Sequence, residues 1–152
     1  MRTFLRTGTI LFFTAAIFTS CVKVNVTPPE SPFAGTWQLN DAAEGDAYGW
    51  TSFYTGLETG IFYLSSNGAA QYTDAGISMQ GSWYLRTVNG GYFDEYGSYY
   101  NGTHQELELH LADPYTHSTI DLRFDNVSIY GNRFVGTYFN GDYIERYGFD
   151  RY

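Results

Sequence analysis

Glu106, Glu108 and His110 stand at two-residue steps in a chain of 152 residues, two carboxylates and an imidazole of the types that move protons or hold a cation. On an extended strand residues i, i+2 and i+4 share a face, so the three would form a row. The intervening Leu107, Leu109 and Leu111 make that row the polar side of a half-wet strand, and no metal site is expected. Other chemistry is sparse. Serine, histidine and aspartate all occur, yet there is no Gly-x-Ser-x-Gly nucleophile turn, and His104, His110 and His117 fall in or beside one polar strand and loop. Asp94 and Glu95 are adjacent, hence on opposite faces of a strand, and do not make a paired acid and base. The chain is expected to be no enzyme and to carry no cofactor. One thiol remains, Cys21, the only cysteine in the chain.

The residues before Cys21 explain its place. Arg2 and Arg6 flank a short positive region, and residues 7–18 (TGTILFFTAAIF) form an apolar run of 12. A membrane span needs roughly 20 such residues, so this is the apolar region of a signal peptide covering residues 1–20. The stretch Phe18-Thr19-Ser20-Cys21 resembles the bacterial lipobox, whose cysteine is lipidated and becomes the first residue of the mature chain. That resemblance implies a membrane anchor on Cys21. Several acyl chains, at about 0.8 kcal/mol per buried methylene, hold far more firmly than one. Residues 21–32 then read as the lipidated cysteine and a tether, because Pro28, Pro29 and Pro32 exclude helix and favour an extended spacer. Val22 stands where an aspartate retains some lipoproteins in the inner membrane, and no acidic cluster follows the cysteine. The expected address is the outer membrane, facing the periplasm, with surface display left open.

Without residues 1–20 the chain keeps six basic and sixteen acidic residues, a formal charge of −10, which argues against nucleic acid as a partner. Residues 33–152 are about 120 in number, the size of one domain. All 15 tyrosines, all three tryptophans and eight of the 12 phenylalanines follow Cys21, a composition that suits pleated, half-buried surfaces. Period-two alternation recurs at Ile120, Leu122 and Phe124, at Val127 and Ile129, and at Phe134, Gly136 and Tyr138. Turn signals at Asn67-Gly68, Asn89-Gly90-Gly91, Gly131-Asn132 and Asn140-Gly141 separate the runs at hairpin spacing. The expectation is an all-β antiparallel meander of about eight to ten strands, closed into a barrel to remove its edges. Residues 41–50 (DAAEGDAYGW) are expected as a loop or helical turn near the mouth.

The opening FAGTWQLN (33–40), with Gly35 and Trp37, resembles the Gly-x-Trp motif of the lipocalins and of small lipocalin-like lipoproteins of Bacteroidetes. QGSWYL (80–85), IYGNRFVGTY (129–138) and the closing YGFDRY follow in that pattern's order, so the resemblance spans most of residues 33–152. It implies a lipocalin-like barrel in which Trp37 plugs the closed end beneath an arginine, Arg146 or Arg151. It further implies a non-catalytic, membrane-anchored protein that binds one small apolar or amphipathic ligand. The alternative is an envelope-structural, protein-binding or glycan-binding role carried by tyrosine-rich loops. GGYFDEYGSYYNG (90–102) motivates it, since tyrosines among Gly, Ser and Asn give rigid amphipathic contact area. The candidate contact residues are Trp50, Tyr96, Tyr99 and Tyr100.

Overall fold

A computed structural model describes residues 31–152; the expected signal peptide, Cys21 and nearly all of the tether lie outside the described residues. The described chain is all-β. Its strands are β1 (Gly35–Asp46), β2 (Gly49–Ser52), β3 (Ile61–Leu64), β4 (Ala69–Asp74) and β5 (Ile77–Phe93), then β6 (Tyr99–Ala112), β7 (Thr119–Phe124), β8 (Asn126–Tyr130), β9 (Arg133–Phe139) and β10 (Ile144–Arg151). One antiparallel sheet runs in the order β7-β6-β5-β4-β3-β1-β10-β9-β8, with β2 folded back on the far half of β1. Most consecutive strands are neighbours because the loops between them are short; β2 and β3 instead each pair with β1, and β7 and β8 lie at opposite ends of the order. The pairing of the first strand with the last is the long-range step.

Three of the four turn signals sit between strands: Asn67-Gly68 joins β3 to β4, Gly131-Asn132 joins β8 to β9, and Asn140-Gly141 joins β9 to β10. The fourth does not. Asn89, Gly90 and Gly91 lie inside β5, in register with Thr103, Gly102 and Asn101. The reversal comes later, at residues 94–98, because Asp94 caps it: its Oδ1 accepts the N–H groups of Tyr96 at 2.9 Å and Ser98 at 2.8 Å. Gly97 completes the turn at φ 84°, a conformation other residues adopt at a cost. Asp94 and Glu95 are therefore turn residues, not strand residues on opposite faces. Residues 41–50 also depart from expectation. They continue β1 and reverse into β2, with Asp46 Oδ1 accepting Tyr48 N–H at 2.7 Å. A bulge at Asn40, between the pairs of Leu39 and Asp41, re-aims β1 before that extension.

The expected closed barrel is not formed: β7 and β8 end the strand order and no ladder joins them. Only Asp125 separates Phe124 from Asn126, and an antiparallel return needs at least a two-residue turn. The chain instead passes from the rung Phe124–Leu107 on β6 to the rung Asn126–Thr137 on β9. Backbone, not a ladder, bridges the two ends.

The concave side is filled. Trp37, Phe33, Phe62, Phe124 and Phe149 are fully buried, with Leu39, Leu107 and Leu111 between them. Phe134 stacks on Phe149 at 4.4 Å between centroids and meets Trp37 edge-on at 4.8 Å. Gly136 is the contact that lets Phe124 in: a Cβ there would lie 2.5 Å from the ring. Burying one such aromatic side chain is worth about 1.5–3 kcal/mol, so this cluster is the main source of stability.

Candidate functional site

At the end of the sheet where β1 begins and β10 stops, Trp37 is 0% exposed and donates its indole N–H to the Phe33 carbonyl at 2.7 Å. The Arg151 guanidinium lies 4.5 Å from the Trp37 ring and donates to the Pro32 carbonyl at 3.0 Å. Gly35 leaves the space it occupies, since a Cβ there would be 2.7 Å from Arg151 Nη1. Of the two candidate arginines, Arg151 is the one over Trp37. Arg146 is elsewhere, 4.6 Å from the ring of Trp50. This end is a structural clasp in which Arg151 closes over the buried Trp37.

The opposite end is built by the two longest strands. β5 and β6 run beyond the rest of the sheet, and their tip folds onto β9 and β10. On β10, Tyr147 and Phe149 turn inward, so Ile144 and Arg146 occupy the other face; Phe139 and Thr137 stand beside them in register on β9. The tip docks on that outer face. Thr137, buried to 2% exposure, donates its hydroxyl to the Phe93 carbonyl at 2.8 Å. Arg146 donates to the Glu95 carbonyl at 3.3 Å while stacked on Trp50. The rings of Phe93 and Phe139 meet at 4.8 Å.

Two clefts flank that ring contact and share it. The first, about 320 Å³, is lined by Trp50 and Tyr96 with Asp46 and Asp142. The second, about 360 Å³, is lined by Tyr92 and Tyr99 with Glu106 and Asp125. Phe93 and Phe139 line both. Both volumes fall at the lower end of the range for small-molecule sites. Three of the four carboxylates are engaged by protein groups. Glu106 pairs with Arg86 at 2.5 Å, and Asp125 accepts Phe139 N–H at 3.1 Å and lies 3.5 Å from Arg123. Asp46 accepts two backbone N–H groups. The Glu95 charge beside Tyr96 pushes its phenol pKa up, and the hydrogen bond between them adds to the shift.

Of the residues singled out from sequence, Trp50 and Tyr96 line the first cleft and Tyr99 the second; Tyr100 lines neither and stacks on Tyr92 at 5.8 Å. Tyr92 and Phe93 fall within the tyrosine-rich stretch 90–102. Phe139, Asp125 and Asp142 carried no signal, because they come from strand ends and turns that only tertiary folding brings to the hairpin tip. His104, expected on a polar strand, is buried at 8% exposure against Tyr92, with ring centroids 4.4 Å apart.

The Glu106, Glu108 and His110 row does share a face, opposite the buried Leu107, Leu109 and Leu111. It is tied up in cross-strand pairs. Arg86 holds Glu106, the Tyr84 hydroxyl donates to Glu108, and His110 Nδ1 is 2.7 Å from Asp121. The Asp121 hydrogen bond raises the His110 pKa, and the Tyr84 hydroxyl lowers that of Glu108. Among the described residues no group of three or more His, Cys, Asp or Glu is placed to hold a metal ion. Leu122, Phe124, Tyr138 and Tyr147, together with the charged Asp121, Arg123 and Glu145, line a smaller cleft of about 170 Å³. Among the described residues no helix is long and apolar enough to cross a membrane.

Comparison of the chain with protein-family models, with curated proteins and with solved structures finds no match in any of the three.

Proposed function

We propose that this chain is a non-catalytic binding domain, held at the outer membrane by an acyl anchor on Cys21, whose ligand site is the twin cleft at the tip of the β5–β6 hairpin. The observation that carries the reading is the shared Phe93–Phe139 contact with aromatic rings and engaged carboxylates on both sides of it. The tip is preorganised by Asp94, Thr137 and Arg146, so little ordering entropy opposes binding. Such a site suits a ligand with one apolar face and several hydrogen-bond donors.

A second reading, a small apolar ligand inside the sheet, draws support from the 170 Å³ cleft between Phe124 and Tyr147. The lipocalin relation is proposed on the same footing. Trp37 beneath Arg151, with Gly35 making room, supports it; the missing ladder between β7 and β8 separates this chain from a closed barrel.

A fluorescence titration with the neutral amphipathic probe N-phenyl-1-naphthylamine separates the two sites. Saturable enhancement that Trp50→Ala abolishes and Leu122→Trp leaves intact supports the twin cleft. The reverse pattern, or a stoichiometric lipid or pigment extracted from the purified protein, moves the function to the interior. Incorporation of labelled palmitate tests the anchor: it should vanish in Cys21→Ala, and uptake that persists overturns lipidation at that residue.

A further inference from the structure

We infer that the ligand of the twin cleft is a neutral oligosaccharide that places adjacent sugar units on either side of the Phe93–Phe139 ridge. This rests on the twin cleft being the ligand site. Three ligand chemistries fail there. No Lys, Arg or His side chain lines either cleft, so an anion finds no counter-charge. A hydrocarbon chain would strip water from Asp46, Asp142, Glu106 and Asp125 and return no hydrogen bond. A compact cation finds three of the four carboxylates already engaged, Glu106 with Arg86, Asp125 with Phe139 N–H and Arg123, and Asp46 with two backbone N–H groups, and Asp142 by itself supplies too few oxygens to hold one.

A pyranose answers all of these features. Its axial C–H face packs on an aromatic ring, and its hydroxyls donate to carboxylate oxygens that keep free lone pairs after their protein hydrogen bonds. The neutral ring brings no charge into a chain that is already strongly acidic. Two clefts of similar size, about 320 and 360 Å³, with one ridge between them, match a chain of like units better than a single compact molecule. Tyr96 and Tyr99, 74% and 62% exposed, line one cleft each and can be reached by a ligand from solvent.

The experiment is a calorimetric titration of the full chain, in detergent, against neutral gluco-, xylo-, manno- and N-acetylglucosamine oligosaccharides of one to six units. The expected result is saturable binding of at least one series, with the monosaccharide at least tenfold weaker than the disaccharide because it fills one cleft only. Trp50→Ala and Tyr99→Ala, one in each cleft, should each weaken binding tenfold or more. Tyr115→Ala, in the turn at the other end of β6, should leave it unchanged. If Trp50→Ala fails to fold, the exposed Tyr96→Ala takes its place in the first cleft. Equal affinity for one and two units overturns the two-subsite assignment. No sugar binding with the naphthylamine probe still bound and lost in Trp50→Ala overturns the oligosaccharide while the site stands; loss of both readouts removes the site as well.

Discussion

Replacing Thr137 by valine tests whether the hairpin tip is latched as described. The side chains are close in size, so packing changes little, and the substitution removes one hydrogen bond. That bond lies where Thr137 is 2% exposed, so water cannot take its place at the hydroxyl. A made hydrogen bond contributes about 0.5–1.5 kcal/mol net, and a buried carbonyl left unpaired costs about 1–3 kcal/mol. The Phe93 carbonyl is at the edge of the tip and regains some water when the latch opens, which sets the expected loss at about 1.5 kcal/mol, near the overlap of the two ranges. That is close to a tenfold change in a local opening constant. The assay is amide hydrogen exchange. Asp94 N–H, bonded to the Ser98 carbonyl, and Gly97 N–H, bonded to the Asp94 carbonyl, should each exchange about tenfold faster in Thr137→Val. Thr137→Ser keeps the hydroxyl and loses one methyl, worth about 0.8 kcal/mol of burial, so it should lower global stability while sparing the tip. Unchanged exchange at Asp94 and Gly97 in the valine variant, whatever happens to the melting temperature, would refute the latch.

Three further outcomes are expected. Gly136→Ala puts a methyl 2.5 Å from the fully buried Phe124 ring and should cost about 2–3 kcal/mol; adding Phe124→Leu should recover part of it, so that the two effects are not additive in denaturant unfolding. Arg151→Met removes the guanidinium over Trp37 and its bond to the Pro32 carbonyl, an expected loss of about 1–2 kcal/mol by chemical unfolding, whereas Arg146→Met should act on exchange at the hairpin tip instead. For His110 the folded pKa is raised, chiefly by the hydrogen bond to Asp121, so its contribution to stability is complete below the ordinary histidine value of about 6.5 and is lost as pH rises through the folded pKa. Asp121→Asn should lower the His110 midpoint seen in its NMR ring-proton titration; an unmoved midpoint would exclude Asp121 as the cause.

Local chemistry along the chain determined the class of this protein. Period-two alternation in residues 106–111 and 120–124, and Asn-Gly or Gly-Asn pairs at three reversals, specify antiparallel strands because both act between residues a few positions apart. Gly35, Trp37 and an arginine of the last strand were legible as a closing clasp, and Arg151 over Trp37 is what the fold shows. What only the tertiary structure decided are the long-range matters. Asn89-Gly90-Gly91 carries a strong turn signal, yet it is paired strand, because the ladder with residues 101–103 and the Asp94 cap outweigh a local preference worth no more than a hydrogen bond or two. Closure of the sheet depended on a single residue, Asp125, whose effect appears only when β6 and β9 are in place on either side of it. The site depended on the same kind of event: Trp50, Phe93, Phe139 and Asp142 are far apart in sequence, and alternation says which face each side chain takes but not which strand end will fold over it.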